Sequence, residues 1–356
     1  MRVWRLRQRA ALSREAGLHP SLCWTRKAPS LSSVEIRLAS RPVTHPALQD
    51  GVTFVVNVFR KDAYQHWVLP ALAHQQGSFA RELIFVDGSA DQAGLSAARA
   101  GTAGWSGWSD IRFLAHADRG PANAANLGAA LARHRCLRFI DGDDIIAPDS
   151  TATLMAIQAE TKAGFVISPT RYVPDFDTLT PTPMTDAHRV PSDGLAEVIR
   201  RTVSNMSGTL FDTAAFLAAG GCDERIFIHD FSAALRVART HPVALADSIG
   251  WYGLSGDQTR IMTGSKHQLF HDYNAVLWRF LADHPDLPRR YQTLAFRRAA
   301  GRAYKWAHRE EGVVGPSRYL YLSLRAHAPW GANCAEGIRQ TLAVFSRTRP
   351  VRVPGV

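Results

Sequence analysis

Arg138-Phe139-Ile140-Asp141-Gly142-Asp143-Asp144-Ile145-Ile146 is the stretch that decides the reading of this chain. An apolar run arrives, breaks on three carboxylates packed around one glycine, and resumes through Ile145 and Ile146 to Pro148-Asp149. The run before the break reads as the end of a buried strand. Gly142 lets the chain turn where a side chain would crowd a ligand. Asp141 and Asp143, two apart in a turning backbone, can both face one cation, and carboxylates that converge this closely repel unless positive charge lies between them. Hard oxygen ligands of this kind suit Mg²⁺ or Mn²⁺ carrying phosphate oxygens. Taken alone, the same residues also make an ordinary Asp-Gly surface turn.

Working outward, Val52-Thr53-Phe54-Val55-Val56-Asn57-Val58-Phe59 is β-branched and aromatic, as in a strand buried on both faces. Residues 62–76 read as a helix with Asp62 as its cap and Tyr64, Trp67, Val68 and Leu72 on one side, although Pro70 falls inside it. A second strand, Glu82-Leu83-Ile84-Phe85-Val86, ends on Asp87-Gly88-Ser89-Ala90-Asp91, and a third is Ile111-Arg112-Phe113-Leu114. A helix follows from about Ala122 to Arg133, and a fourth strand leads into the acidic turn. This alternation predicts an α/β fold with a mostly parallel central sheet flanked by helices. Ligands of such sheets sit beyond the carboxyl ends of the strands, where Asp87 and Asp141 both stand. The two acidic clusters therefore point at one site, and a plain surface turn becomes the poorer reading.

The motif order resembles the family 2 glycosyltransferases, whose nucleotide-sugar-binding fold is called GT-A, over residues 51 to about 260. The resemblance rests on Val86-Asp87-Gly88-Ser89-Ala90-Asp91, with one aspartate before the glycine instead of two. It continues through Gly120, Ala124, Asn126 and Gly128, with Ala125 where an arginine is often found, and through Asp141, Asp143, Pro148 and Asp149. Later come Phe211 and Gly220-Gly221-Cys222-Asp223-Glu224, with Cys222 in place of a phenylalanine, and finally His229-Asp230, where Glu-Asp is commoner.

The resemblance implies transfer of a sugar from a nucleotide-diphosphate donor, with inversion, to a hydroxyl of a glycan or lipid-linked acceptor. In that scheme Asp143 coordinates Mn²⁺ or Mg²⁺, and Asp141 binds the ribose or a metal-bound water. Asp87 accepts a hydrogen bond from the base. A carboxylate is acceptor-only, which favours uracil or the amino edge of guanine over cytosine N3. Asp230 is the general base, facing the acceptor hydroxyl opposite the leaving group. As sequence alone, Asp230 also reads as the N-cap of a helix through Phe231–Leu235, as Asp212 does before Thr213-Ala214-Ala215. Asp144 either continues the site or caps the next segment. Residues 251–270 mix Gly, polar and basic types like a mobile lid, with Arg260, and less securely His267, as cations for the diphosphate.

The hydrophobic share of 46% and charged share of 21% are those of a globular protein. Lys and Arg number 42 against 31 Asp and Glu, a surplus of +11 that favours anionic partners without choosing among them. Cys23, Cys136, Cys222 and Cys334 have no CxxC spacing, so neither a zinc site nor a disulfide framework is indicated. A cytoplasmic setting follows. No stretch reaches the roughly eighteen apolar residues of a membrane helix.

The expected organisation is a basic N-terminal arm over 1–50, a GT-A domain over 51–265 and a helical basic region over 266–356. Within the domain, residues 51–150 form the nucleotide-binding half and 151–265 the acceptor half with its lid. The Arg-rich arm also resembles an organellar transit peptide. Helices are expected from His271, then over 289–310, 316–327 and 334–346, and their basic surface suits peripheral contact with an anionic membrane face. A nucleotidyltransferase on this sheet would want a Gly-rich loop after the first strand, and Asn57-Val58-Phe59-Arg60-Lys61 has no glycine. A nucleic-acid-binding module is not recognisable. An inactive glycosyltransferase-like binding protein is the remaining alternative, suggested by the single aspartate before Gly88 and by His229.

Overall fold

Val52, Phe54, Val55 and Val56 are all at most 2% exposed, as a strand covered on both faces requires. The computed structural model describes residues 47–117, 119–256, 266–313, 315–328 and 333–345. The strands are β1 (Gln49–Asn57), β2 (Arg81–Asp87), β3 (Asp110–Ala115), β4 (His134–Asp141), β5 (Asp144–Ile146), β6 (Phe165–Ile167), β7 (Thr170–Val173), β8 (His188–Arg189), β9 (Thr209–Asp212), β10 (Val243–Ala246) and β11 (Trp251–Leu254). The helices are α1 (Gln65–Ala73), α2 (Ala93–Gly101), α3 (Pro121–Ala130), α4 (Ser150–Thr161), α5 (Gly194–Arg201), α6 (Thr213–Ala218), α7 (Asp230–Ala238), α8 (Lys266–Asp283), α9 (Arg289–Arg309), α10 (Arg318–His327) and α11 (Cys334–Thr341).

Eight strands form the main sheet in the order β3-β2-β1-β4-β9-β6-β10-β8. Strands β1 to β4 are mutually parallel, β6 and β10 are parallel, and β9 and β8 run antiparallel to their neighbours. The expected α/β architecture is the one observed, with a mostly parallel sheet between helical layers and helices at the C-terminal end.

Strand alternation sorts the core into two layers. Phe54, Val56, Leu83 and Phe85 pack on one face with α1, α2 and α4. Val55, Ile84, Val86 and Phe139 pack on the other with α3, α5, α6 and α7. A three-stranded sheet, β5-β11-β7, takes the chain leaving the acidic turn.

Several local expectations give way. Asp62 does not cap a long helix: a 3₁₀ turn spans Asp62–Tyr64, and α1 begins at Gln65 without a side-chain cap. The crossover after β2 contains α2, which an Ala- and Gly-rich segment with only Gly94, Leu95 and Ala98 buried does not announce. Residues 251–254 are not lid but strand β11, and Lys266 already opens α8. Asp212, by contrast, is the N-cap of α6 that its sequence suggests, accepting from Ala215 N at 2.7 Å. Strand β1 starts at Gln49, inside the stretch read as an arm. Residues 1–46, the rest of that arm, lie outside the described residues.

Small side chains let the C-terminal helices close on one another. Ala295, Ala299, Ala300 and Ala303 are fully buried along α9. A Cβ on Gly337 of α11 would lie 2.5 Å from the Phe296 ring. Asn274 of α8 donates to Ala299 O at 3.1 Å and to Thr341 Oγ1 at 2.8 Å, tying three helices together. No described helix is long and apolar enough to cross a membrane.

Candidate active site at the strand ends

The register of the parallel strands places the acidic clusters. Asn57, the last residue of β1, pairs with Val86 on one side and Asp141 on the other. Asp87 and Asp141 thus end strands two places apart, roughly 10 Å at ordinary strand spacing. Asp87 is completely buried. Its Oδ1 accepts from Ser89 N at 2.8 Å, which is the Asx turn its sequence suggests. Its Oδ2 is buried and has no hydrogen-bond partner among the described residues. A buried carboxylate oxygen without a donor is costly, and a donor from a ligand would remove that cost.

The acidic turn is packed hard against the end of β1. Gly142 N–H donates to Asn57 O at 2.9 Å, and a Cβ there would lie 2.5 Å from that oxygen. Close approach to β1 is by itself enough to demand glycine. Asp143 is 4% exposed, and its Oδ2 receives the Lys61 ammonium at 2.6 Å. Asp144 neither caps a segment nor opens into the cleft: it begins β5, is 1% exposed, and accepts from Ser207 Oγ at 2.7 Å. Ser207 Oγ also accepts from Asp141 N at 3.1 Å, so one hydroxyl braces both ends of the turn.

Behind the turn, Arg138 is fully buried. It bonds Thr151 Oγ1 at 2.5 Å and Ser207 O at 3.3 Å, and burial pushes its guanidinium down to about 9.

Asp230 stands at the start of α7 as its first residue, His229 holds the N-cap position, and no side-chain cap bond is made there. Its Oδ1 accepts instead from the adjacent Phe231 N at 2.8 Å. Both side chains keep some exposure, yet packed surroundings strip most of their hydration. That desolvation raises the Asp230 carboxyl above the ordinary carboxylate range, against the opposing pull of His229, and lowers the His229 imidazole. The Ser204 hydroxyl is close to Asp230 but outside good hydrogen-bond geometry. Ser204 and Ser207 share one short loop, which links the neighbourhood of Asp230 to the acidic turn.

The loop carrying Asp230 is held from two directions. Asp272 of α8, 2% exposed, accepts from Ile228 N at 2.9 Å and from Gln268 Nε2 at 2.9 Å, with His271 Nδ1 at 2.7 Å. Asn126 of α3 donates to Cys222 O and Glu224 Oε1, each at 3.0 Å, while Cys222 N donates back to Asn126 Oδ1 at 2.8 Å. Gly221 holds φ at 62°, and a Cβ there would lie 2.4 Å from that Oδ1. The Gly120–Gly128 and Gly220–Glu224 motifs are thus two halves of one clamp.

Arg260 lies outside the described residues. His267 faces Trp306 and Phe345, with ring centroids at 5.1 and 5.8 Å, and belongs to the packing of the C-terminal helices. Sequence reasoning missed Lys61, Ser207 and Asp272. Lys61 alone carried a signal, as a lone lysine in the turn after the first strand.

The donor set fits a divalent metal in kind. Such ions in phosphate-transfer sites take one or two carboxylates and complete their shell with phosphate oxygens and water, and the turn offers Asp141 and Asp143. Among the described residues no cluster of three or more His, Cys, Asp or Glu side chains could hold an ion by protein ligands alone.

Residues 67–212 match the family model described as glycosyl transferase family 2. No curated protein matches the sequence. Among solved structures, residues 1–349 of S. aureus TarS in complex with UDP-GlcNAc align with TM-score 0.52 and 14% identity, covering 83% of this chain and 91% of that one. The mannosyltransferase PcManGT from Pyrobaculum calidifontis, in complex with GDP-Man and Mn²⁺, aligns with TM-score 0.51 and 14% identity, covering 86% and 88%. At that identity the structural likeness establishes the fold, and the family match supplies the activity class. The chain is a glycosyltransferase of the GT-A type, with its family 2 domain matched over residues 67–212.

Proposed function

We propose that this protein performs metal-assisted, single-displacement transfer of a sugar from a nucleotide-diphosphate donor, a UDP-sugar by preference, to a hydroxyl of a glycan or lipid-linked acceptor. The observation that carries the reading is the alignment of Asp87 and Asp141 at the carboxyl ends of the strands flanking β1, with Asp87 Oδ2 buried and waiting for a donor. Asp87 would take the N–H of the base, and Asp141 the ribose. Asp143, with Asp141, would hold Mn²⁺ or Mg²⁺. That ion, when bound, neutralises the charge that builds on the departing diphosphate. Arg260 would add a cation from the loop above.

Asp230 takes the proton from the acceptor hydroxyl as it attacks. A carboxyl raised by desolvation is a stronger base than an exposed one, which suits that task. Attack from the Asp230 side, across from the leaving group, inverts the anomeric carbon. Asp272 and the Asn126 clamp position the loop that carries it.

A lipid-linked acceptor would place the protein in the cytoplasm at the inner membrane face. Tyr321 and Leu324, 61% and 63% exposed on α10, sit one helical turn apart with Arg318 and Arg325 beside them, a composition suited to an anionic interface.

A thermal-shift panel of UDP-, GDP- and dTDP-sugars with and without Mn²⁺ tests the donor reading. UDP-sugars with Mn²⁺ should raise the melting temperature, since a ligand of the folded state alone stabilises it in proportion to occupancy. Asp87→Ala should abolish the shift while the protein stays folded. A shift that Asp87→Ala leaves intact would contradict the assignment.

A further inference from the structure

Beyond Asn57 the chain does not run straight into α1. It turns through Val58-Phe59-Arg60-Lys61, with Lys61 N–H donating to Val58 O at 3.1 Å and Arg60 held at φ 54°, in the left-handed region. A non-glycine residue seldom adopts that conformation unless its surroundings require it. The turn delivers Lys61 Nζ to 2.6 Å from Asp143 Oδ2, with the two side chains 10% and 6% exposed. Nζ also lies 5.1 Å from the Tyr64 ring centroid. The Lys61 stem packs on the acidic turn itself, 3.1 Å from where a Gly142 Cβ would sit.

A lysine in that position already supplies Asp143 with the positive charge that a metal would bring. From this we infer that Lys61 is a built-in counter-ion of Asp143, and that a divalent cation enters the site by displacing its ammonium. This rests on the metal-assisted reading above. Before the donor arrives, the ammonium offsets the charge of the buried carboxylate in place of a metal. Displacement then leaves a dry ammonium in need of an anion, and the donor diphosphate is the anion that arrives with the metal. Metal and donor therefore bind cooperatively, each raising the affinity of the other by the same factor. Lys61 is a positioning residue in this scheme and an electrostatic gate on the metal site.

The test is Mn²⁺ titration followed by electron paramagnetic resonance of the free ion, with and without UDP. Wild type should bind Mn²⁺ weakly alone and much more tightly with UDP. Lys61→Met keeps the stem but removes the charge. It should bind Mn²⁺ without UDP roughly tenfold or more tightly than wild type, and its dependence on UDP should shrink. The gain should persist in about 0.5 M salt, because a contact pair in a dry site is screened far less than a distant charge.

Unchanged or weaker Mn²⁺ binding by Lys61→Met would overturn the inference, and so would a gain that vanishes in high salt. If that variant folds only when Mn²⁺ is added, with recovery of native circular dichroism, the metal is standing in for the lysine as the inference requires. Failure to recover overturns it. Absence of Mn²⁺ binding by wild type even with UDP would remove the metal reading and this inference together. Tight UDP-dependent binding with no effect of Lys61 would remove only the latter.

Discussion

Asp230 carries two pH signatures of opposite practical meaning. Desolvation raises its carboxyl, so the acid limb of kcat/KM should lie above the usual aspartate value near 3.9. The folded state then binds that proton more tightly than the unfolded chain. Between the ordinary and the raised value, stability therefore falls as pH rises. Asp230→Asn should slow transfer by roughly a hundred- to ten-thousand-fold, the range for loss of a general base. Denaturant melts at several pH values should show that it also flattens that fall in stability. Transfer at the wild-type rate would leave Asp230 no catalytic role.

That outcome would be a residue-scale failure only, because its loop is held independently. Asp272→Ala removes the acceptor of Ile228 N without touching Asp230. It should lower kcat while leaving the donor dissociation constant, measured by titration, unchanged.

Among the elements, the legible ones were those whose residues obey a single strong rule. The β-branched run over residues 52–59 and the run ending at Asp87 could only be buried parallel strands. The second ends where the sequence places it, while the first stops at Asn57, where the chain turns toward Lys61. The elements that escaped have no such rule. Helix α2 buries only Gly94, Leu95 and Ala98, too little for a periodic signal, and β11 is four residues whose identity as a strand depends on partners β5 and β7 far away in sequence.

Site residues followed the same division. Carboxylates flanking glycine announce themselves locally, whereas Lys61 and Asp143 meet across 82 positions and Ser207 reaches Asp144 across 63. The clamp between α3 and the Gly220–Glu224 loop is testable at this scale. Asn126→Ala leaves the Cys222 N–H and the facing carbonyl without their partner, which should cost about 1–3 kcal/mol in chemical denaturation. Gly221→Ala should destabilise as well, through both its left-handed φ and the 2.4 Å approach to Asn126. Neutral results at both positions would mean that the motifs are joined elsewhere.

For the whole molecule, the sheet supplies a rigid floor and the C-terminal helices supply the unusual surface. Their basic character was plain in the sequence; the outward aim of Tyr321 and Leu324 was not, because it depends on which face of α10 meets α9. Co-sedimentation with vesicles containing anionic lipid should be lost, and the fold retained, on changing Tyr321→Ser and Leu324→Asp together. Sedimentation unaffected by both changes would remove α10 from any membrane contact.

The central claim is a single displacement driven by Asp230 on a nucleotide-sugar held by the strand-end aspartates. Its most direct test follows the anomeric proton by NMR while the enzyme turns over an α-linked UDP-sugar with Mn²⁺, water serving as acceptor if no other is known. The account predicts that the β-anomer of the released sugar appears first, before mutarotation, and that chelation stops the reaction. First appearance of the α-anomer, or full turnover in excess chelator, would contradict it.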